Sequence, residues 1–266
     1  MKTGAIRELL ATPGGVALGI HSFSASPAII EAAVSGGLDF VVVDAEHSPH
    51  GVHELLQGVR AAQGAGAQGW VRLLRIDEDV GRLLDAGVDG IVLSGATAPR
   101  LQTLLDHALY MPAGRRGACP AVRSTGYGTT DWAAHASRVN ESLCLVPLVE
   151  SLAGLNDAPL MAACPQVRAL FIGAFDLAAE VGSASTDLRS PLLRPSFESL
   201  ARVAAEHNKP LMASVGTDPD PVYVDWLKYR GVRLFSTGAD VQTVRAAAAR
   251  AQCLRHAPTF KEASCK

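Results

Sequence analysis

The stretch Leu38–His47, LDFVVVDAEH, is an apolar run that stops abruptly at two carboxylates and a histidine. A strand covered on one face alternates apolar and polar residues; a strand covered on both faces of a parallel sheet does not. Leu38–Asp44 therefore reads as a buried parallel strand with a reactive end. Working outward, seven more runs have the same character: Gly15–Phe23, Gly69–Leu74, Gly90–Ser94, Leu143–Glu150, Ala169–Gly173, Pro210–Val215 and Val232–Thr237. Helical spacing separates them, at Pro27–Ser35, Val52–Gln63, Val80–Ala86, Pro99–Tyr110, Leu152–Ala163, Ser196–His207, Pro219–Tyr229 and Val241–Leu254. Glycine and proline mark the joins. Eight strand–helix units predict an α/β fold, the (β/α)8 TIM barrel, over a doubly wound sheet, which uses fewer strands. With about 33 residues per unit and no linker composition between them, 1–266 reads as one domain.

Composition narrows the function classes. The 266 residues carry 24 Lys+Arg against 26 Asp+Glu, and 48% are hydrophobic. That content can build a core, so disorder is excluded. The missing basic excess argues against nucleic-acid or anionic-membrane partners. Five cysteines, Cys119, Cys144, Cys164, Cys253 and Cys265, form no CxxC pair, which argues against a disulfide framework or a thiolate zinc site. The N-terminal residues have helix-like spacing with internal charges and no signal-peptide core. No apolar run approaches the roughly 20 residues of a membrane helix. The expectation is a soluble cytoplasmic protein.

Barrel chemistry sits at the C-terminal ends of the strands. Strand two ends in Asp44, Glu46 and His47; strand three carries Arg72 and Arg75; strand five ends in Glu150; strand six runs into Phe175 and Asp176. Two carboxylates on adjacent strands suit Mg²⁺ or Mn²⁺, with water and substrate oxygens completing the shell. Taken singly, an acidic strand end is more often a helix cap. The five lysines, Lys2, Lys209, Lys228, Lys261 and Lys266, all lie away from the C-terminal strand ends. An imine mechanism needs such an amine, so the electrophilic work falls to a metal.

Two excursions, Met111–Asn140 and Val181–Arg194, interrupt the rhythm, and either is a candidate for the barrel mouth. Arg115, Arg116, Arg123 and Tyr127 in the first read as substrate contacts or as solvated side chains. Gly64–Gly69 fits GxGxxG but follows a helix and precedes a strand, the reverse of the dinucleotide-binding context, and reads as a loop. His47, His50 and His53 cannot share one regular helix across Pro49, so only His47 is kept.

The motifs LDFVVVDAEHSPH, VRLLR, LVPLVES and FIGAFDLAAEVG, with the MPAGRRG loop, resemble the HpcH/HpaI family of metal-dependent aldolases, from about the first strand to the last helix. The resemblance implies that Glu150 and Asp176 hold a divalent metal (Mg²⁺ or Mn²⁺, with Co²⁺ or Zn²⁺ as alternatives). It implies that Arg72 faces the keto oxygen of pyruvate or a related 2-oxo acid. His47 becomes the catalytic base and Asp44 the group orienting its imidazole. Asp85 becomes an acid supplied to a neighbouring subunit, with a surface helix-end carboxylate as the plain reading. Gly173, Ala174 and Phe175 become the substrate-binding segment, with the amides of Gly173 and Phe175 on the substrate carboxylate. The family assembles as trimers or hexamers, so helix 241–254 is expected at a homo-oligomer interface and 256–266 as a frayed tail.

The sequence departs from the family pattern at Phe175, at Leu148 where glutamine is frequent, and at Ser94-Gly95 where Val-Pro is frequent. The expected reaction is aldol cleavage or formation of 4-hydroxy-2-oxo acids from pyruvate and an aldehyde. A citrate-synthase-like condensation of oxaloacetate with acetyl-CoA and a non-catalytic 2-oxo-acid-binding paralogue are the alternatives.

Overall fold

The structure, a computed structural model, describes Ile6, Thr12, residues 14–252 and Arg255. The N-terminal helix-like segment, the tail 256–266, Cys253 and Cys265 lie outside the described residues. The chain runs β1 (Ala17–Ser22), α1 (Pro27–Ser35), β2 (Phe40–Asp44), α2 (Val52–Ala65), β3 (Gln68–Leu73), α3 (Asp79–Asp85), β4 (Gly90–Leu93), α4 (Ala98–Ala108), α5 (Trp132–Ser142), β5 (Leu145–Val149), α6 (Leu152–Ala163), β6 (Leu170–Ile172), α7 (Ala174–Glu180), α8 (Arg194–Glu206), β7 (Leu211–Ser214), α9 (Pro221–Tyr229), β8 (Val232–Ala239) and α10 (Asp240–Ala251). All eight strands pair in parallel, β1 through β8, and β8 closes on β1. This is the expected (β/α)8 barrel.

The apolar strands divide their side chains between two cores. Val41, Val43, Val71, Ile91, Leu93, Leu145, Val149 and Ile172 face the helices. Phe40, Val42, Trp70, Val92, Val146, Leu148, Phe171, Met212 and Leu234 fill the barrel interior. Phe40 and Trp70 stack there at 4.7 Å. Gly19 makes this fit, because a Cβ at that position would stand 2.3 Å from the Phe40 ring. Helix starts follow their caps: Thr97 accepts from Arg100 N, Ser151 from Gly154 N, and Asp220 from Val222 N. In the GxGxxG segment, Gly64 lies in the last turn of α2, Gly66 ends that helix at φ +105° and Gly69 lets β3 pack on Val59, so the helix-to-strand connection is tighter than the expected loop.

The first excursion differs from its reading. Its second half is a helix, α5, capped by the Asp131 carboxylate on Ala134 N. Its first half packs on the rim opposite the strand ends. Arg123 donates to Gln63 Oε1 (2.6 Å) and Ala86 O (3.1 Å), and Arg116 to Asp85. Barrel helices run antiparallel to the strands, so the C-terminal ends of α2 and α3 stand on the lower rim. Arg115 pairs with Asp106 there, and Arg116 lies over the Tyr110 ring at 4.4 Å. The structure also adds α7, a helix that starts directly at the exit of β6 and stands outside the one-helix-per-strand rhythm. The second excursion is held by buried Leu188 and Leu193, with Leu188 N donating to Tyr223 Oη.

Candidate active site

Strand alternation specifies the top layer of the interior. Two residues beyond the inward-facing Val42, Trp70, Val92, Leu148, Phe171 and Leu234 come Asp44, Arg72, Ser94, Glu150, Gly173 and Ser236. Register places Asp44 directly opposite Arg72. The apolar layer beneath forms a floor, and the polar layer above it forms the mouth.

Arg72 is held by two acids. Its Nε donates to Asp44 Oδ1 at 2.5 Å, and Nη1 lies 3.3 Å from Glu46 Oε2. Nη2 is buried and has no partner. Phe23 lies against the guanidinium at 5.6 Å, on a loop fixed by buried Asp240, which accepts from Phe23 N, Ser24 Oγ and Ser22 Oγ.

Asp44 does not orient the His47 imidazole, contrary to expectation. Its fully buried carboxylate accepts from the main-chain N–H groups of His47 at 2.8 Å and Glu46 at 3.4 Å, and from Arg72. The ring instead stands 3.5 Å from Glu46, from Nε2 to Oε2. Glu46 also accepts from Ser94 Oγ at 2.6 Å. His50 donates from Nε2 to Phe23 O, and His53 contacts Gln57, so neither joins His47.

On the other side of the mouth Glu150 ends β5 and accepts from Gly95 N–H at 2.5 Å. Gly173 lets the β6 end pass close by, since a Cβ there would meet Glu150 Cβ at 2.4 Å. Asp176 follows in the first turn of α7. Burial first, then the charges of Glu46 and Asp176, push Glu150 up to about 7. Ser94 and Gly95 are consecutive, so one strand end ties Glu46 and Glu150 together.

The amide of Gly173 donates to Val149 O at 2.9 Å and is spent on the sheet, so it is not available to a substrate. Ala174 and Phe175 occupy the first turn of α7, where helix geometry leaves amides without intrahelical acceptors. Phe175 is exposed. Asp85 does not reach this chain's mouth. It ends α3 on the lower rim, 2.6 Å from the guanidinium of buried Arg116.

Sequence reading overlooked four residues here. Glu46 and Ser94 were visible as polar strand ends but received no role. Gly95 contributes only a backbone amide, which no side-chain motif reveals. His21, buried on β1, places Nδ1 2.8 Å from Ser236 Oγ and stacks on Phe171, while Nε2 has no partner. Burial, then the Arg72 charge, lowers His21 to about 4, so it is neutral at neutral pH. The signal was a lone histidine in phase with Ala17 and Gly19.

A divalent cation fits this arrangement. Two neighbouring carboxylates repel, and a buried one is raised toward neutrality; a cation between them relieves both costs. Among the described residues no group of three or more His, Cys, Asp or Glu converges as a metal cage. A two-carboxylate site suits a hard cation that keeps water or substrate oxygens.

The sequence profile of the HpcH/HpaI aldolase/citrate lyase family matches residues 18–247. A hydroxypyruvate/pyruvate aldolase from Sagittula stellata is 34% identical over 164 residues, covering 61% of this chain and 64% of that protein. A 5-keto-4-deoxy-D-glucarate aldolase from Salmonella paratyphi A is 27% identical over 252 residues, 93% of each chain. The crystal structure of an HpcH/HpaI aldolase from Desulfitobacterium hafniense superposes with a TM-score of 0.83 at 24% identity, covering 96% of this chain and 98% of that one. A closed parallel barrel, its acidic mouth and a match spanning all eight strands lead to one assignment: the chain belongs to the HpcH/HpaI aldolase/citrate lyase family.

Proposed function

We propose that this chain is a divalent-metal-dependent aldolase that cleaves and forms 4-hydroxy-2-oxo acids through a pyruvate-type enolate. The observation that carries the reading is Arg72: a guanidinium clamped by Asp44 and Glu46 with Nη2 unpartnered, in the same mouth as the Glu150–Asp176 pair. Glu150 and Asp176 would hold Mg²⁺ or Mn²⁺ (Co²⁺ or Zn²⁺ as alternatives), which supplies Lewis acidity toward the 2-oxo group.

The chain's own residues do the rest. In the cleavage direction His47 takes the C4 hydroxyl proton. The O–H pair becomes the aldehyde C=O at C4 as the C3–C4 bond breaks; the pair of that bond forms the C2=C3 double bond, and the 2-oxo π pair moves onto its oxygen. Arg72 stabilises the negative charge developing there, at no reorganisation cost because two carboxylates already fix it. Protonation at C3 gives the 2-oxo acid. The first turn of α7, at Ala174 and Phe175, binds the substrate carboxylate, and exposed Phe175 narrows the mouth beside the aldehyde. Lys209 offers no imine-forming amine at the mouth, because it is committed to Val167 O and Cys164 O on the lower rim.

We read the protein as a single barrel domain acting on small 2-oxo acids and aldehydes in the cytoplasm. No helix among the described residues is long and apolar enough to cross a membrane. A homo-oligomer, a trimer or hexamer, is supported by α10, which leaves Val241 and Val244 exposed along an alanine-rich helix.

The test is proton exchange. With Mg²⁺, the protein should exchange the methyl protons of pyruvate into deuterated water. Failure to exchange, together with citrate formation from oxaloacetate and acetyl-CoA, overturns the aldolase reading in favour of the citrate-synthase-like one.

A further inference from the structure

The carboxylate of Glu46 has three neighbours on a single oxygen. Oε2 accepts from Ser94 Oγ at 2.6 Å, lies 3.3 Å from Arg72 Nη1 and 3.5 Å from His47 Nε2. Ser94 is fully buried at the top of β4, and its carbonyl accepts from Arg100 Nη2 at 3.2 Å, so its position is braced from outside the barrel. His47 is then held at two points, its main chain by Asp44 and its ring beside Glu46. Ser94 combines full burial with a rotatable hydroxyl that donates to Glu46.

We propose that Ser94 is a positioning residue which, by fixing Glu46, sets the tautomer of the His47 imidazole. A carboxylate beside Nε2 favours the proton on that nitrogen. Nδ1 is then the basic nitrogen, the one that accepts the substrate proton. Hydrogen bonds of this kind are often long without substrate and shorten in the complex. An apolar residue at position 94 removes the donor. Glu46 Oε2 is then shared by Arg72 and His47 alone, and the carboxylate can turn wholly toward the guanidinium.

The inference rests on the aldolase reading for its consequence but not for its geometry, and the experiment separates the two. Protein labelled with ¹⁵N-histidine, metal-free and then with Mg²⁺ and pyruvate, is examined by long-range ¹H–¹⁵N correlation at a pH where His47 is neutral, with His47→Gln identifying the resonance. The expected result is the Nε2–H tautomer in the native protein, a tautomer mixture in Ser94→Ala, and recovery in Ser94→Thr. Glu46→Ala should reproduce the Ser94→Ala spectrum and serves if that variant does not fold. In parallel, Ser94→Ala should lower kcat about tenfold with KM for the 2-oxo acid unchanged, and Ser94→Thr should restore it. An Nδ1–H tautomer in the native protein, or identical spectra for native and Ser94→Ala, overturns the proposal. So does a change confined to KM or to melting temperature. A tautomer shift in a protein that catalyses no aldol chemistry upholds the pairing and defeats the functional reading instead.

Discussion

The entrances and the ends of the barrel strands use the same residue types in opposite ways. At the entrances, on the lower rim, charged groups are spent on uncharged polar atoms. Asp39 accepts from Leu18 N, Asp89 from Gly69 N and Gln63 Nε2, and Lys209 donates to two carbonyls. On the upper rim charges meet charges: Asp44 and Glu46 share Arg72, and Glu150 faces Glu46 and Asp176. The lower arrangement stabilises the turns entering β2, β4 and β7. The upper one leaves Arg72 Nη2 and His21 Nε2 unpaired and crowds carboxylates, a cost retained where a ligand offsets it.

The largest break in this contrast should come from Glu150→Gln. Metal-dependent turnover should fall by more than the roughly hundredfold at which residues merely supporting a metal act, while metal-free melting temperature is unchanged or rises because a crowded charge is gone. Activity that survives in a steady-state assay would show the ligand assignment to be wrong. Arg72→Lys comes next. An ammonium cannot span Asp44 and Glu46 while presenting a further donor, so kcat should drop about a hundredfold. A loss seen only in KM would count against transition-state stabilisation.

The lower rim should answer differently. Asp89→Ala removes the acceptor of Gly69 N and one of the two acceptors of Gln63 Nε2, the other being Gly87 O, and should cost about 1–3 kcal/mol in denaturant unfolding, with kcat intact. A kinetic defect there would dissolve the distinction between rims. The smallest effect is a pH tilt. Glu150 is raised from 4.5 to about 7 in the fold. The folded state therefore binds its proton more tightly, and the stability it contributes is present below about 4.5 and lost as pH rises through about 7. Metal-free protein should lose melting temperature across that window, Glu150→Gln should flatten the loss, and Mg²⁺, which replaces the proton, should oppose it. A pH-independent melting temperature would remove the repulsion argument.

Much of this was legible in the linear chain because a parallel barrel imposes a local pattern. Continuous apolar runs follow from strands covered on both faces, and all eight strands and the helix between each pair were recoverable from that rule. α5 and α7 were not, because each is an addition to the one-helix-per-strand rhythm, α5 behind a glycine-rich loop and α7 directly at the exit of β6. His47, Arg72, Glu150 and Asp176 could be expected together at the mouth because strand ends are identifiable in sequence. The partners of Asp44 were misassigned because separation in sequence, three residues to His47, is no guide across a barrel. Arg72, 28 residues away, stands directly opposite in register.

The sequence by itself determined the barrel, the rim that carries the chemistry and the residue types placed there, since all three follow from local hydrophobic pattern and strand direction. Only the tertiary structure decided who holds whom. It gave Arg72 to Asp44 and Glu46, turned the His47 ring toward Glu46, sent Asp85 and Arg116 to the far rim, and spent the Gly173 amide on the sheet. Those outcomes depend on register between strands and on which polar group must be satisfied where water is excluded, and both are set only when the barrel closes.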